Sequence, residues 1–261
     1  MADLSPDARR AAIAELERVS ARAWPPRESA PLYGWLLRSG GAQTRRINSV
    51  DTAHFEAGAE VRAAIDGAAA WYVARNLPPC FRLAEGAEPA GLDGRLAARG
   101  YAQVTPSTVM TARAELIASR GAPAPSLLPD ANPEVLAAIG DPGWSAAVRA
   151  ERAELYERVP EPRCFALLQV DGQPAAAGLC VREGEFAGNF SMRTQRGFRR
   201  RGLGTALLGA LAAWACDAGA RTLYLQVEDD SAARPLYQRT GFAPLYAYHY
   251  RELSGEAGGR R

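Results

Sequence analysis

Residues 195–205 read Gln195-Arg196-Gly197-Phe198-Arg199-Arg200-Arg201-Gly202-Leu203-Gly204-Thr205, a turn dense in arginine and glycine. Before it, FAGNFSMRT over 186–194 reads as a strand. After it, Leu203, Leu207, Leu211 and Ala215 recur every four residues, the apolar stripe of an amphipathic helix, and Gly219 suits that helix's C-terminal end. In such a strand, turn and helix, Gly202 and Gly204 let a ligand approach the backbone closely. The first amides of the helix have no intrahelical acceptor and carry roughly half a positive charge from the helix dipole. A pyrophosphate satisfies both needs. Arg199, Arg200 and Arg201 would add neutralising charge, and the Thr205 hydroxyl a further hydrogen bond. A Walker loop requires a lysine, and all 31 basic residues are arginine. A dinucleotide fingerprint requires a third glycine, where Leu207 stands. Two readings stay open: an R-x-x-G-x-G phosphate loop (Arg199, Gly202, Gly204), and an exposed arginine turn with incidental glycines.

A second motif begins about 30 residues downstream, in TLYLQVEDDSAARPLYQRTGF over 222–242. Leu223, Leu225 and Val227 alternate with Thr222, Tyr224 and Gln226 as in a strand. A turn and a helix follow, carrying Ala233, Leu236, Tyr237, Gly241 and Phe242. Together the two motifs resemble the GNAT family of acyl-CoA-dependent N-acetyltransferases. That family's pyrophosphate loop reads Q/R-x-x-G-x-G/A, and its last helix A-x-x-L-Y-x-x-x-G-F. The resemblance covers roughly 160–252, and more weakly 127–252. One feature departs from it. The family has Asn at the start of the last helix. Counting back from Tyr237 places Asp230 there; counting on from Val227 places Ser231. Both residues cap helices, and Pro235 favours a late helix start. A small rearrangement of this turn is expected.

The resemblance implies transfer of an acetyl group from acetyl-CoA to a primary amine, by direct attack in a ternary complex. The cofactor-binding set would be Met192, Arg193 and Thr194 through their backbone, Arg199, Arg200, Arg201, Gly202, Leu203, Gly204 and Thr205 at the diphosphate, and Asp230, Ser231 and Ala233 beside it. A main-chain N–H near Met192 would polarise the thioester carbonyl. Tyr237 is the implied catalytic acid. A phenol titrates near 10 and a thiol near 8.5, so the phenol is protonated at neutral pH and can donate to the departing thiolate. No base is named: Glu185 and Glu228 read as surface carboxylates, and His249 sits in an alternating final strand, Tyr248-His249-Tyr250. The rival readings are a module that senses acyl-CoA without turnover, an acyltransferase using a longer acyl-CoA, and a nucleic-acid binder built on the arginine run.

Composition bounds these choices. With 261 residues the chain can form one large domain or two of about 130. Hydrophobic residues at 48% and charged residues at 23% are globular values and exclude a disordered chain. A formal net charge of +2 provides no strong field for nucleic acid or an acidic membrane, and no aromatic platform flanks the arginine run. A small-molecule amine is therefore the expected acceptor. The absence of lysine excludes a Schiff base. Four cysteines without a CxxC pair and two histidines predict neither a metal site nor a disulfide framework. No apolar run reaches membrane-spanning length, and MADLSPDARR lacks the apolar segment of a secretory signal, so a cytoplasmic protein is expected. A homodimer is compatible with all of this.

Residues 5–23 read as a helix capped by Ser5, with Pro6 at its first position and Ile13, Leu16 and Val19 on one face. The proline-rich RGAPAPSLLPDAN over 120–132 reads as a linker. The Gly-aromatic steps Gly100-Tyr101 and Gly241-Phe242 lie 141 residues apart. The same offset lays the helical stretch 56–75 over 202–218, and Asn48-Ser49-Val50 over Asn189-Phe190-Ser191. The predicted fold is α/β, with two tandem GNAT-like domains, each a mixed, mostly antiparallel sheet flanked by helices. Residues 1–122 form the first domain, 127–255 the catalytic one, and 256–261 a flexible tail. The first copy lacks R-x-x-G-x-G over 58–63 and has Leu96 where Tyr237 stands, so it is degenerate for coenzyme A binding. Its expected role is to cover the sheet or complete the acceptor pocket.

Overall fold

A computed structural model describes residues 5–41, 44–119 and 123–253; the expected tail 256–261 lies outside them. The fold is mixed α/β, as the sequence predicts. In the first part of the chain are α1 (Pro6–Ala23), β1 (Glu28–Leu32), β2 (Trp35–Ser39), β3 (Val50–Asp51), α2 (Val61–Val73), β4 (Cys80–Ala84), α3 (Leu92–Ala98), β5 (Ala102–Arg113) and α4 (Ala114–Ile117). The second part holds β6 (Ser126–Leu128), α5 (Pro133–Ile139), α6 (Ala146–Arg158), β7 (Arg163–Val170), β8 (Gln173–Glu183), β9 (Phe186–Thr194), α7 (Leu203–Asp217), β10 (Thr222–Glu228), α8 (Arg234–Arg239) and β11 (Ala243–Glu252). Adding 141 to the residue numbers lays α2 on α7, β4 on β10, α3 on α8 and β5 on β11. The repeat therefore extends to the secondary structure.

The chain forms two compact units. One comprises Met1–Glu17, Pro26–Ser107 and Tyr246–Arg261, the other Arg18–Pro25 and Thr108–Leu245. The chain thus passes between units at four points, where the sequence suggested a single linker. The proline-rich stretch lies inside the second unit and contains strand β6, with Ser126, Leu127 and Leu128 facing Leu167, Ala166 and Phe165 of β7. Pro123, Pro125 and Pro129 flank these three residues without occupying them, so their N–H groups remain available, and the strand takes the sheet edge that proline-rich segments tolerate.

In the first unit the strand order is β1-β2-β3-β4-β11; β3 and β4 are parallel, and the other pairs are antiparallel. Trp35, Ile65, Tyr72, Phe81, Leu92 and Leu96 fill its core. In the second unit the order is β5-β10-β9-β8-β7-β6, with β9 and β10 parallel. The predicted stripe of α7 is buried there: Leu203, Leu207, Leu211 and Ala215 pack with Ala166, Leu168, Cys180 and Leu223. Burial of each leucine contributes roughly 1.5–3 kcal/mol, which fixes the position of the helix N-terminus against the sheet.

Candidate active site

Strands β9 and β10 pair from Phe186↔Thr222 to Asn189↔Leu225 and then part. Diverging parallel strands leave a crevice beyond their carboxyl ends, the usual ligand position in such sheets. β9 also bulges on its other edge: Leu179 faces Phe190 but Ala177 faces Arg193, so an extra residue is accommodated and the strand is re-aimed at Ser191–Met192. Ser191 takes φ +51°, and the buried Tyr156 hydroxyl donates to its Oγ at 3.0 Å. The α7 ladder begins with the Ala206 N–H donating to the Gly202 carbonyl at 3.0 Å, so the amides of Leu203, Gly204 and Thr205 have no acceptor within the helix. Gly202 caps the helix at φ +76°, a conformation that costs other residues energy. A Cβ on Gly204 would lie 3.0 Å from Leu236 Cδ2, so the glycine allows α7 and α8 to approach closely.

These elements enclose a cleft of about 760 Å³. Its wall includes Met192, Arg193, Thr194, Arg199, Arg200, Gly202, Leu203, Gly204, Thr205, Ser231, Ala233 and Tyr237, which the structure brings together from 46 residues of sequence. Two predicted members are not in the wall. The Arg201 guanidinium sits 5.6 Å from the Phe198 ring, and Asp230 lies in the exposed turn after β10. Neither Asp230 nor Ser231 caps α8, whose N-cap is Ala233 without a side-chain cap; Ser231 instead shapes the turn before it. Its Oγ accepts the Ala233 N–H at 3.3 Å and its carbonyl accepts the Arg234 N–H at 3.1 Å, which delays α8 as Pro235 suggested. Leu207, Ala232, Pro235, Leu236 and Arg239 also line the cleft and were not anticipated. Pro235 and Arg239 are four residues apart on α8 and so share a helix face.

The wall is basic. Arg199 braces the end of β9, its Nε donating to the Thr194 carbonyl at 3.2 Å, and Arg193 pairs with Asp141 at 2.8 Å. Tyr237 is 8% exposed, its hydroxyl has no hydrogen-bond partner among the described residues, and burial pushes its pKa up. Glu185 and Glu228 are exposed, and His249 Nε2 lies 2.8 Å from Asp93 Oδ1 in the first unit. Among the described residues no group of three or more His, Cys, Asp or Glu could hold a metal ion, and no helix is long and apolar enough to cross a membrane.

The cleft falls within residues 133–242, which match the acetyltransferase (GNAT) family model. The chain carries a GNAT acetyltransferase domain. Residues 10–99 match a second model, that of the C-terminal region of the probable histone acetyltransferase Rv0428c. The chain is 29% identical over 251 residues to the uncharacterized N-acetyltransferase YobR of Bacillus subtilis, covering 92% of this chain and 98% of that one. In fold it resembles a GCN5-related N-acetyltransferase from Kribbella flavida, with TM-score 0.70, 21% identity and coverage of 94% and 96% of the two chains. It also resembles a tandem GNAT protein from the clavulanic acid biosynthesis pathway, with TM-score 0.55, 15% identity and 97% coverage of each. The protein is thus an acyltransferase of the N-acetyltransferase kind, with tandem GNAT-like architecture.

Proposed function

We propose that the cleft holds acetyl-CoA, and that the protein acetylates a primary amine of a small molecule by direct attack. One observation carries this reading. The amides of Leu203, Gly204 and Thr205, which have no acceptor within α7, belong to residues lining a cleft that also presents Arg199, Arg200 and Arg239. Amides and guanidiniums so placed suit a diphosphate, and the glycine approach at 202–204 suits its bulk. Bound there, acetyl-CoA supplies an activated acyl group as a thioester. Met192, Arg193 and Thr194 offer backbone groups along β9 for the pantetheine arm, and the bulge at Ser191 aims the Met192 N–H as the donor to the carbonyl. Ser231 and Ala233 close the opposite wall. Tyr237 holds its proton through neutral pH and donates it to the leaving sulfur. Residues 127–255 are assigned the chemistry. Tyr237 lines the cleft, and its hydroxyl has no hydrogen-bond partner among the described residues, which favours turnover over passive sensing. A net charge of +2 favours a small-molecule acceptor over one bound to nucleic acid.

The test is a titration with coenzyme A, followed by free-thiol release from acetyl-CoA across amino acids, polyamines, aminoglycosides and peptides. Wild type is expected to bind and turn over, and Gly202→Ala, forced into a left-handed conformation at φ +76°, to bind more weakly. Failure of wild type to bind coenzyme A would remove the reading; binding without thiol release on any amine would leave a sensor.

A further inference from the structure

The bulge near the end of β9 rests on a residue in a costly conformation. Ser191 takes φ +51°, in the left-handed region that glycine enters freely and serine does not. A residue held there needs surroundings that over-determine it. Both faces of β9 supply them. On the α7 face, Met192 fills the space that Gly178 leaves: a Cβ on that glycine would lie 2.2 Å from Met192 Sδ and 3.4 Å from Leu211 Cδ1. On the opposite face, Phe190 stacks on Trp24 with ring centroids 5.1 Å apart and planes inclined by 11°. Gly188 makes room there for two rings, since a Cβ on it would lie 2.6 Å from Phe190 and 2.4 Å from Tyr224.

Tyr156, on α6, joins this second face. Its buried ring meets Trp24 at 6.0 Å and Phe165 at 5.7 Å, both edge to face. These contacts fix the hydroxyl without any help from Ser191. The hydroxyl donates to Ser191 Oγ at 3.0 Å, the one hydrogen bond to that side chain among the described residues. Burial pushes the phenol's pKa up, and the Ser191 hydrogen bond and the Arg152 charge oppose it only in part, so the proton stays on the oxygen that donates it. Tyr156 is not in the cleft wall, whereas Met192, one peptide bond beyond Ser191, is. That peptide is planar, so rotation at Ser191 swings the whole plane that carries the Met192 N–H.

We propose that Tyr156 is a positioning residue for acyl transfer: its hydroxyl holds Ser191 in the left-handed conformation and so aims the Met192 N–H at the thioester carbonyl. The inference rests on the reading of Met192 as the carbonyl donor. The probe is acetyl-CoA labelled with ¹³C at the thioester carbonyl, bound to the full-length protein without an amine and followed by ¹³C NMR. A hydrogen bond polarises the carbonyl and moves its resonance downfield of free acetyl-CoA. Wild type is expected to show that displacement. Tyr156→Phe and Ser191→Ala should each lose most of it, and the double variant should lose no more than either alone, because both remove one interaction. Ser191→Gly, which takes a positive φ without strain, should retain more of the displacement than Ser191→Ala. Acetyl-CoA affinity should be unchanged in every variant, which also shows that each has a folded cleft. A hydrogen bond with a merely structural role would change the melting temperature and leave the carbonyl resonance where wild type has it. Full displacement in Tyr156→Phe, additive losses in the double variant, or equal losses in Ser191→Gly and Ser191→Ala would overturn the proposal and leave the Met192 donor standing. A bound wild-type carbonyl at the free position would remove the Met192 donor and the proposal with it.

Discussion

Replacing Tyr237 with phenylalanine removes one oxygen from a buried ring and nothing else. The ring packs against Phe242 at 6.1 Å, and the Phe242 N–H donates to the Tyr237 carbonyl at 3.0 Å; neither contact involves the hydroxyl. The hydroxyl has no protein partner among the described residues, so no internal hydrogen bond is lost. The stability change should be close to zero, within about 0.5 kcal/mol. The chemical consequence should be large. A positioned general acid contributes roughly 10²–10⁴-fold, which at 1.36 kcal/mol per decade is about 3–5 kcal/mol of barrier. Tyr237→Phe should therefore keep the wild-type Tm and coenzyme A affinity while kcat for thiol release falls by at least about 10². The pH dependence follows from the direction of the pKa shift. Burial raises the phenol above its ordinary value of about 10, so the acid stays protonated across the neutral range, and any alkaline decline of kcat due to it begins above about pH 10. A variant that retains kcat within about twofold would refute the acid role, because an effect below about 0.4 kcal/mol is too small for proton donation in the transition state.

Two further predictions concern the first unit. The Glu17–Arg82 pair is fully enclosed, so Arg82→Met should destabilise by about 3–5 kcal/mol in denaturant unfolding by stranding the carboxylate, whereas Glu17→Leu/Arg82→Met should recover most of the loss; equal losses in both would refute this account. Asp93 accepts from Arg251 at 2.8 and 3.0 Å and lies against His249, and these partners lower its carboxyl to about 2 against some opposing burial. A folded-state pKa below the unfolded value contributes stability that is complete above about pH 4 and is lost as pH falls toward 2; Asp93→Asn should flatten that part of the stability profile.

What was legible in the sequence is what short-range rules determine. The strand over 186–194, the turn after it and the α7 stripe each depend on residues within two helical turns, and the structure reproduces them. The bulge at Ser191 was hidden, because a serine at φ +51° carries no local signal; its hydrogen bond comes from Tyr156, 35 residues away. Strand β6 was hidden because prolines mark a loop by composition, while pairing depends on which N–H groups they spare. The Glu17–Arg82 pair spans 65 residues and no periodicity predicts it.

The same limit explains the reading of the first copy as degenerate. Loss of R-x-x-G-x-G is a statement about one ligand. The crevice itself is made by two parallel strands that stop pairing, at Asp51/Arg82 in one unit and at Asn189/Leu225 in the other, and that geometry persists when the arginines do not. The repeated scaffold thus carries a different set of side chains at each rim. The wall of one copy holds Arg193, Arg199, Arg200 and Arg239 and, among the described residues, no acidic one, whereas Glu17, Asp51, Glu85 and Glu88 stand with Arg10 and Arg82 in that of the other. Carboxylates at such a rim disfavour a diphosphate where guanidiniums favour it.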